Sequence, residues 1–88
     1  METPDAEEIR AWMVEYLAEL LGIGPGEVET TTSFEVYGLD STAAAGMSGD
    51  LSEWLEMKLG ADLALEFPTI DALAEHVAER VRERASAA

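Results

Sequence analysis

Gly38-Leu39-Asp40-Ser41 marks the point in the chain where a long irregular segment gives way to a helix. Asp and Ser are favoured at helix N-termini because their short side chains accept hydrogen bonds from free backbone N–H groups. Gly38 lets the chain turn tightly before the helix. The stretch therefore predicts a helix that begins near Ser41, with a serine hydroxyl where the free N–H groups and the helix dipole favour a phosphate. An ordinary helix cap preceded by an ordinary turn accounts equally well for these four residues alone.

Downstream of this point the apolar pattern predicts three more elements. The second helix is expected over residues 41–58 and is closed by Gly60. Its inward face is predicted to carry Ala44, Met47, Leu51, Trp54 and Leu55. Residues 61–66 are expected to form one short helical turn before Pro68, and a last helix, capped by Thr69, follows. The buried stripe of that helix is Ile70, Leu73, Val77 and Val81.

Upstream, a first helix is predicted over residues 4–21, with Thr3 as its cap and Gly22 at its end. Its apolar stripe is Ile9, Met13, Leu17, Leu20 and Leu21. Residues 22–40 show no clear period, and a loop of this length in a compact domain is often functional. The apolar residues expected to anchor it are Ile23, Val28, Phe34, Val36 and Leu39.

These elements predict an all-α fold, a small bundle of three main helices and one short helix with a long first loop. The 88 residues suffice for one domain, expected over residues 1–88 with a core from about 4 to 84 and a frayed tail after it.

The charge and composition of the chain exclude several classes of function. The chain has 19 acidic and five basic residues, a formal net charge of −14. Such a surface repels nucleic acid and anionic membranes, and it suits either solubility alone or encounters with basic partner surfaces. The absence of cysteine excludes a disulfide framework and a cysteine-ligated metal site. The acidic N-terminus does not resemble a signal peptide, so a cytoplasmic protein is expected. We also expect no membrane partner and no bound metal ion.

Several stretches together resemble a known family. The Gly38-to-Ser41 motif stands at the start of the second helix, after a long loop that contains Phe34. Two more stretches follow it: Leu51-Ser52-Glu53-Trp54-Leu55, and Phe67-Pro68-Thr69-Ile70 followed by Leu73-Ala74-Glu75-His76-Val77. This arrangement resembles the acyl carrier proteins, most of all those of polyketide synthases, and it covers nearly the whole chain.

The resemblance implies a function. A separate phosphopantetheinyl transferase would attach 4′-phosphopantetheine from coenzyme A to Ser41, and the thiol of this arm would carry acyl groups as thioesters. Gly38, Leu39 and Asp40 complete the motif. The chain would be a discrete, monomeric carrier without catalytic activity of its own. Its partners would be acyl-loading and acyl-processing enzymes with basic docking surfaces, which contact residues 41–58.

The second helix departs from the family's usual pattern. Thr42 replaces a large apolar residue, and the first acid after Ser41 is Asp50. We therefore expect a smooth central face with dedicated partners, and we name Thr42, Met47 and Asp50 as candidate partner-binding residues.

Two other functions stay open at this point. An aminoacyl or peptidyl carrier of a nonribosomal pathway shares the fold and the serine, although its usual motif has glycine at position 39 and an aromatic residue at position 35. The second open function is an acidic helical adaptor without a prosthetic group. A catalytic Ser41 is disfavoured, because the only histidine, His76, lies mid-helix and nothing in the sequence aligns it with the serine.

Overall fold

The computed structural model describes the backbone of residues 4–87 and side chains of residues 4–86. Four α-helices follow one another in this part of the chain. They are α1 (Ala6–Leu21), α2 (Ser41–Leu55), α3 (Leu63–Glu66) and α4 (Ile70–Ala87). A single 3₁₀ turn, Pro25–Glu27, lies in the loop between α1 and α2. This confirms the predicted all-α bundle with a long first loop.

The ends of α1 and α4 differ from the prediction. Thr3, the expected cap of α1, lies outside the described residues. Asp5 caps the helix instead, since its carboxylate accepts a hydrogen bond from Glu8 N at 2.9 Å, and α1 therefore begins at Ala6. Gly22 ends α1 as predicted, with a left-handed φ of 69°. The expected frayed tail is wrong as far as Ala87, because α4 continues to that residue.

The end of α2 is a second correction. The helix stops at Leu55 rather than near residue 58, and Gly60 does not close it. Glu56 takes the left-handed conformation, with φ of 52°, and its N–H donates back into the last turn. The Arg84 guanidinium on α4 donates to Leu55 O at 2.7 Å and to Glu56 O at 3.0 Å. A contact from so distant a residue satisfies the last carbonyls of α2, and no local sequence pattern reveals it.

The core lies between α1, α2 and α4. Its fully buried apolar side chains are Ile9, Met13, Leu17, Met47, Leu51, Ile70, Leu73, Val77 and Val81. The loop adds Val28 and Phe34 to the core, as predicted. Three of the predicted inward residues are exposed: Leu20 by 52%, Val36 by 75% and Trp54 by 40%.

Each of these three has a local reason. Leu20 lies in the last turn of α1, next to the glycine-rich loop, where no helix covers it. Val36 lies in the tight turn after Phe34 and faces away from the core. Trp54 lies at the edge of the α2 apolar face and stacks on Trp12, with ring centroids 5.6 Å apart.

The long loop is tied to the start of α4. Phe34 N donates to Pro68 O at 2.8 Å, and Asp71 N donates to Thr30 O at 3.0 Å. Arg10 Nε on α1 donates to the Asp71 carboxylate at 2.8 Å, so that three segments meet at one place. None of the described helices is both long and apolar enough to cross a bilayer.

The left-handed Glu56 gives a prediction about stability. Glu56→Gly should raise the free energy of unfolding by about 1 kcal/mol, because glycine adopts this conformation without steric cost. Glu53→Gly, the same substitution inside α2, should lower it by about 1 kcal/mol. Urea unfolding followed by circular dichroism measures both. Equal effects of the two variants would show that the conformation of Glu56 contributes nothing.

Candidate functional site

The start of α2 holds the predicted site. Asp40 is the N-cap, and its carboxylate accepts a hydrogen bond from Ala43 N at 2.8 Å. Ser41 is the first residue of the helix, and its side chain is exposed. The structure therefore places a serine hydroxyl in solvent at a helix N-terminus, where the first backbone N–H groups have no partner within the helix.

A tight turn delivers the chain to this position. Gly38 has a φ of 83°, in the left-handed region that favours glycine. Gly38 N donates to Glu35 O at 2.9 Å, and Leu39 N donates to Phe34 O at 3.1 Å. Leu39 is half-buried and packs against the core. The buried Phe34 and the packed Leu39 thus fix both ends of the turn that precedes Asp40.

An apolar groove lies beside Ser41. Its volume is about 270 Å³. Its walls come from the loop, the first turns of α2, the short helix α3 and the turn before α4. The lining residues are Phe34, Glu35, Leu39, Asp40, Ser41, Ala44, Ala64, Leu65 and Pro68. Sequence reasoning missed Glu35, Ala64, Leu65 and Pro68 as site residues, because only the folded chain brings these separate segments together.

The predicted partner-binding residues do not share one surface. Thr42 and Asp50 are exposed, but Met47 is fully buried. The prediction that Met47 contacts partners is therefore wrong. Its position, three residues after Ala44 and four before Leu51, puts it on the inner face of α2.

Asp50 lies beside Tyr16 of α1. Burial raises the pKa of the Tyr16 phenol above its ordinary value of 10.0, and the neighbouring Asp50 carboxylate raises it further as a hydrogen-bond partner and as a negative charge. Asp50 itself is exposed on α2.

The other side chains that could carry chemistry are the metal-ligating residues and His76. Within residues 4–86 no cluster of three or more His, Cys, Asp or Glu side chains is placed to hold a metal ion. The imidazole of His76 stacks on Phe67, with ring centroids 4.1 Å apart.

Comparisons with known proteins agree with this geometry. Residues 11–77 match the family described as "Phosphopantetheine attachment site". The chain is 35% identical over 78 residues to the acyl carrier protein TtuC of Teredinibacter turnerae. The aligned residues cover 89% of this chain and 90% of TtuC. It is 37% identical over 71 residues to part of a phenolphthiocerol/phthiocerol polyketide synthase of Mycobacterium tuberculosis, covering 81% of this chain but only 4% of that protein.

The fold matches a solved carrier structure as well. A free-standing peptidyl carrier protein from Acinetobacter baumannii superposes with a TM-score of 0.82 at 31% sequence identity, covering 88% of this chain and 96% of that one.

The Tyr16–Asp50 contact gives a prediction about pH. Because the folded pKa of Tyr16 is raised, its contribution to stability is fully present below pH 10 and is lost as the pH rises through the folded pKa. Tyr37→Phe leaves Tyr16 as the only tyrosine, so absorbance titration of that variant reports Tyr16 alone. Adding Asp50→Asn should lower the titration midpoint, since a charge and a hydrogen bond to the neutral phenol are lost or weakened. An unchanged midpoint would contradict the contact.

Proposed function

Because the chain belongs to the phosphopantetheine attachment-site family and is an acyl carrier protein, we propose that Ser41 is the residue that holds its 4′-phosphopantetheine. The observation that carries this proposal is the exposed Ser41 hydroxyl at the N-terminus of α2, next to the Asp40 cap.

The residues around Ser41 fit a phosphodiester. The Asp40 carboxylate takes up the N–H of Ala43, while the N–H groups of Ser41 and Thr42 have no partner within the helix. These donors and the positive end of the helix dipole favour a phosphate there. When bound, the prosthetic group supplies a thiol that carries the acyl cargo as a thioester. The chain has no cysteine and needs that thiol from outside.

The groove beside Ser41 supports the same proposal. The apolar side chains of Phe34, Leu39, Ala44 and Ala64 line it, and Ser41 lines it as well. At about 270 Å³ it is slightly smaller than most small-molecule pockets. We assign it to the apolar part of the arm or to a short cargo, with water kept from that surface.

The proposed partners are a phosphopantetheinyl transferase and acyl-loading and acyl-processing enzymes with basic docking surfaces. The net charge of −14 favours such encounters. Thr42 and Asp50 remain candidate contacts on α2, since both are exposed. Leu65 on α3, which is 71% exposed beside the groove, joins them as an apolar contact. These partners, rather than the carrier, would supply the catalysis.

The relatives place the carrier in natural-product biosynthesis, and we propose a polyketide or related pathway because TtuC is an acyl carrier protein and another relative is a polyketide synthase. An aminoacyl or peptidyl cargo is the second candidate, favoured by the fold match to a free-standing peptidyl carrier protein. Loading assays with adenylating enzymes and with acyltransferases separate the two cargo classes.

Intact mass after incubation with coenzyme A, Mg²⁺ and a broad-specificity phosphopantetheinyl transferase tests the attachment residue. The parent protein should gain one phosphopantetheine and Ser41→Ala none. Ser48→Ala is the matched control, because Ser48 lies on the same helix but its hydroxyl is buried without a hydrogen-bond partner. Modification of Ser41→Ala would contradict the proposal, because the arm would then be attached to another residue. A folded parent that gains no mass, beside a modified reference carrier, would also contradict it and would favour the adaptor.

The two roles of Asp40 can be separated by a pair of variants. Asparagine caps helices as well as aspartate, so Asp40→Asn should keep the stability, while Asp40→Ala should lose about 1 kcal/mol. If the carboxylate also assists the transferase, both variants should be modified about tenfold more slowly, equivalent to about 1.4 kcal/mol in the barrier. Modification of Asp40→Asn at the parent rate would leave capping as the only role of Asp40.

A further inference from the structure

Three aromatic rings form a stack between α1 and α2. Trp12 lies at the centre, with its ring centroid 5.3 Å from Tyr16 and 5.6 Å from Trp54, and the two indole planes are 9° apart. Trp54 remains 40% exposed. The packing of α1 on α2 therefore leaves part of the Trp54 ring exposed to solvent.

Carboxylates border the same stack. A shallow groove of about 210 Å³ is lined by Trp12, Glu15, Tyr16 and Glu19. A neighbouring groove of about 260 Å³ is lined by Tyr16, Glu19 and the exposed Leu20. We call Trp12, Glu15, Tyr16, Glu19 and Trp54 the aromatic–acidic face. Aromatic rings beside carboxylates are the surroundings that a guanidinium or ammonium group prefers.

Within the described part of the chain, no basic side chain forms an ion pair with Glu15 or Glu19. Residues 11–57 contain no Lys, Arg or His. Arg10, the only base in α1, is hydrogen-bonded to Asp71. The cation that fits the face is therefore expected from another molecule.

The aromatic–acidic face lies apart from the proposed attachment site. Trp54 lies thirteen positions after Ser41 in α2. At 1.5 Å and 100° per residue they are roughly 20 Å apart along the helix and roughly 140° apart around it. The groove beside Ser41 thus lies at the start of α2, and the aromatic stack lies near its end.

We propose that the aromatic–acidic face is a second docking surface, and that its occupant is a basic segment of a partner protein whose arginine side chains lie over the exposed indole and pair with Glu15 and Glu19. Arginine suits this place better than lysine, because its planar and weakly hydrated guanidinium stacks on aromatic rings. A second copy of the chain is disfavoured by the net charge of −14, and an anionic membrane by the same repulsion. Such a partner would hold the carrier by the far end of α2 and leave Ser41 accessible. Docking at this face needs no prosthetic group on Ser41.

The two tryptophans of the chain, Trp12 and Trp54, both belong to the face, so intrinsic fluorescence reports on it directly. The probe is a synthetic amphipathic helical peptide of arginine and leucine, and its matched peptide carries neutral citrulline in place of every arginine. We expect the arginine peptide to change the fluorescence and to bind in calorimetry, more weakly at high salt. The citrulline peptide should bind at least about tenfold more weakly.

Two pairs of variants locate the binding. Glu15→Gln with Glu19→Gln should weaken binding by about threefold to tenfold. Glu75→Gln with Glu79→Gln is the matched control, with the same spacing, charge change and exposure on α4, and it should change affinity less than twofold, on the order of the screened long-range term. Trp54→Leu should weaken binding about threefold, and Trp54→Phe should restore part of it.

Equal losses in the two glutamate pairs would show attraction to overall charge and overturn the proposal. Equal affinity for the arginine and citrulline peptides, or full affinity of Trp54→Leu, would also overturn it. Self-association of the chain in sedimentation that Trp54→Leu abolishes would assign the face to a second copy instead. In all these variants the transferase should still modify Ser41 at the parent rate. Failure of the docking proposal can therefore be told apart from failure of the proposed attachment site.

Discussion

Two backbone hydrogen bonds tie the long loop to the beginning of α4: Phe34 N to Pro68 O at 2.8 Å, and Asp71 N to Thr30 O at 3.0 Å. Closing a loop this long over the core costs conformational entropy, which these contacts help to offset. The tie lets the Phe34 side chain enter the core, and Phe34 O then accepts the Leu39 N–H that closes the turn before α2. These contacts, taken one after another along the loop, determine the position of Ser41.

The domain divides its surface into two regions around α2. At the start of α2 the serine hydroxyl opens beside an apolar groove, which is the proposed place of the arm or of a short cargo. The free N–H groups of the helix N-terminus favour a phosphate there. Near the end of α2 aromatic rings and carboxylates lie together, and in the described structure Glu15 and Glu19 form no ion pair. The net charge of −14 attracts basic proteins to both. A carrier that must meet several enzymes in turn gains from surfaces that differ in chemistry and do not overlap.

Sequence patterns predicted the elements better than their edges. Helical periodicity located the three main helices, Pro68 indicated the short helix before it, and Asp40 and Ser41 indicated the start of α2, because these signals are local. Periodicity did not separate the centre of a helix face from its edge, so Trp54, predicted on the inward face of α2, is 40% exposed. The same pattern correctly put Met47 on that face, whereas its assignment to partner binding came from the family resemblance and is wrong. The end of α2 depends on Arg84, a distant residue. The groove depends on the meeting of the loop, α2 and α3, which no single stretch of sequence encodes.

Native-state hydrogen exchange of the Phe34 amide tests most directly the claim that the loop belongs to the cooperative core and holds Ser41 in place. If it does, this amide opens only with the core, and its protection should lie within about tenfold of that of Val77 in the middle of α4. The Asp71 amide, bonded to the loop from the other side, should behave in the same way. Exchange of Phe34 near the rate of an unstructured peptide, while Val77 stays protected, would contradict the account, since the loop would then open independently of the helices.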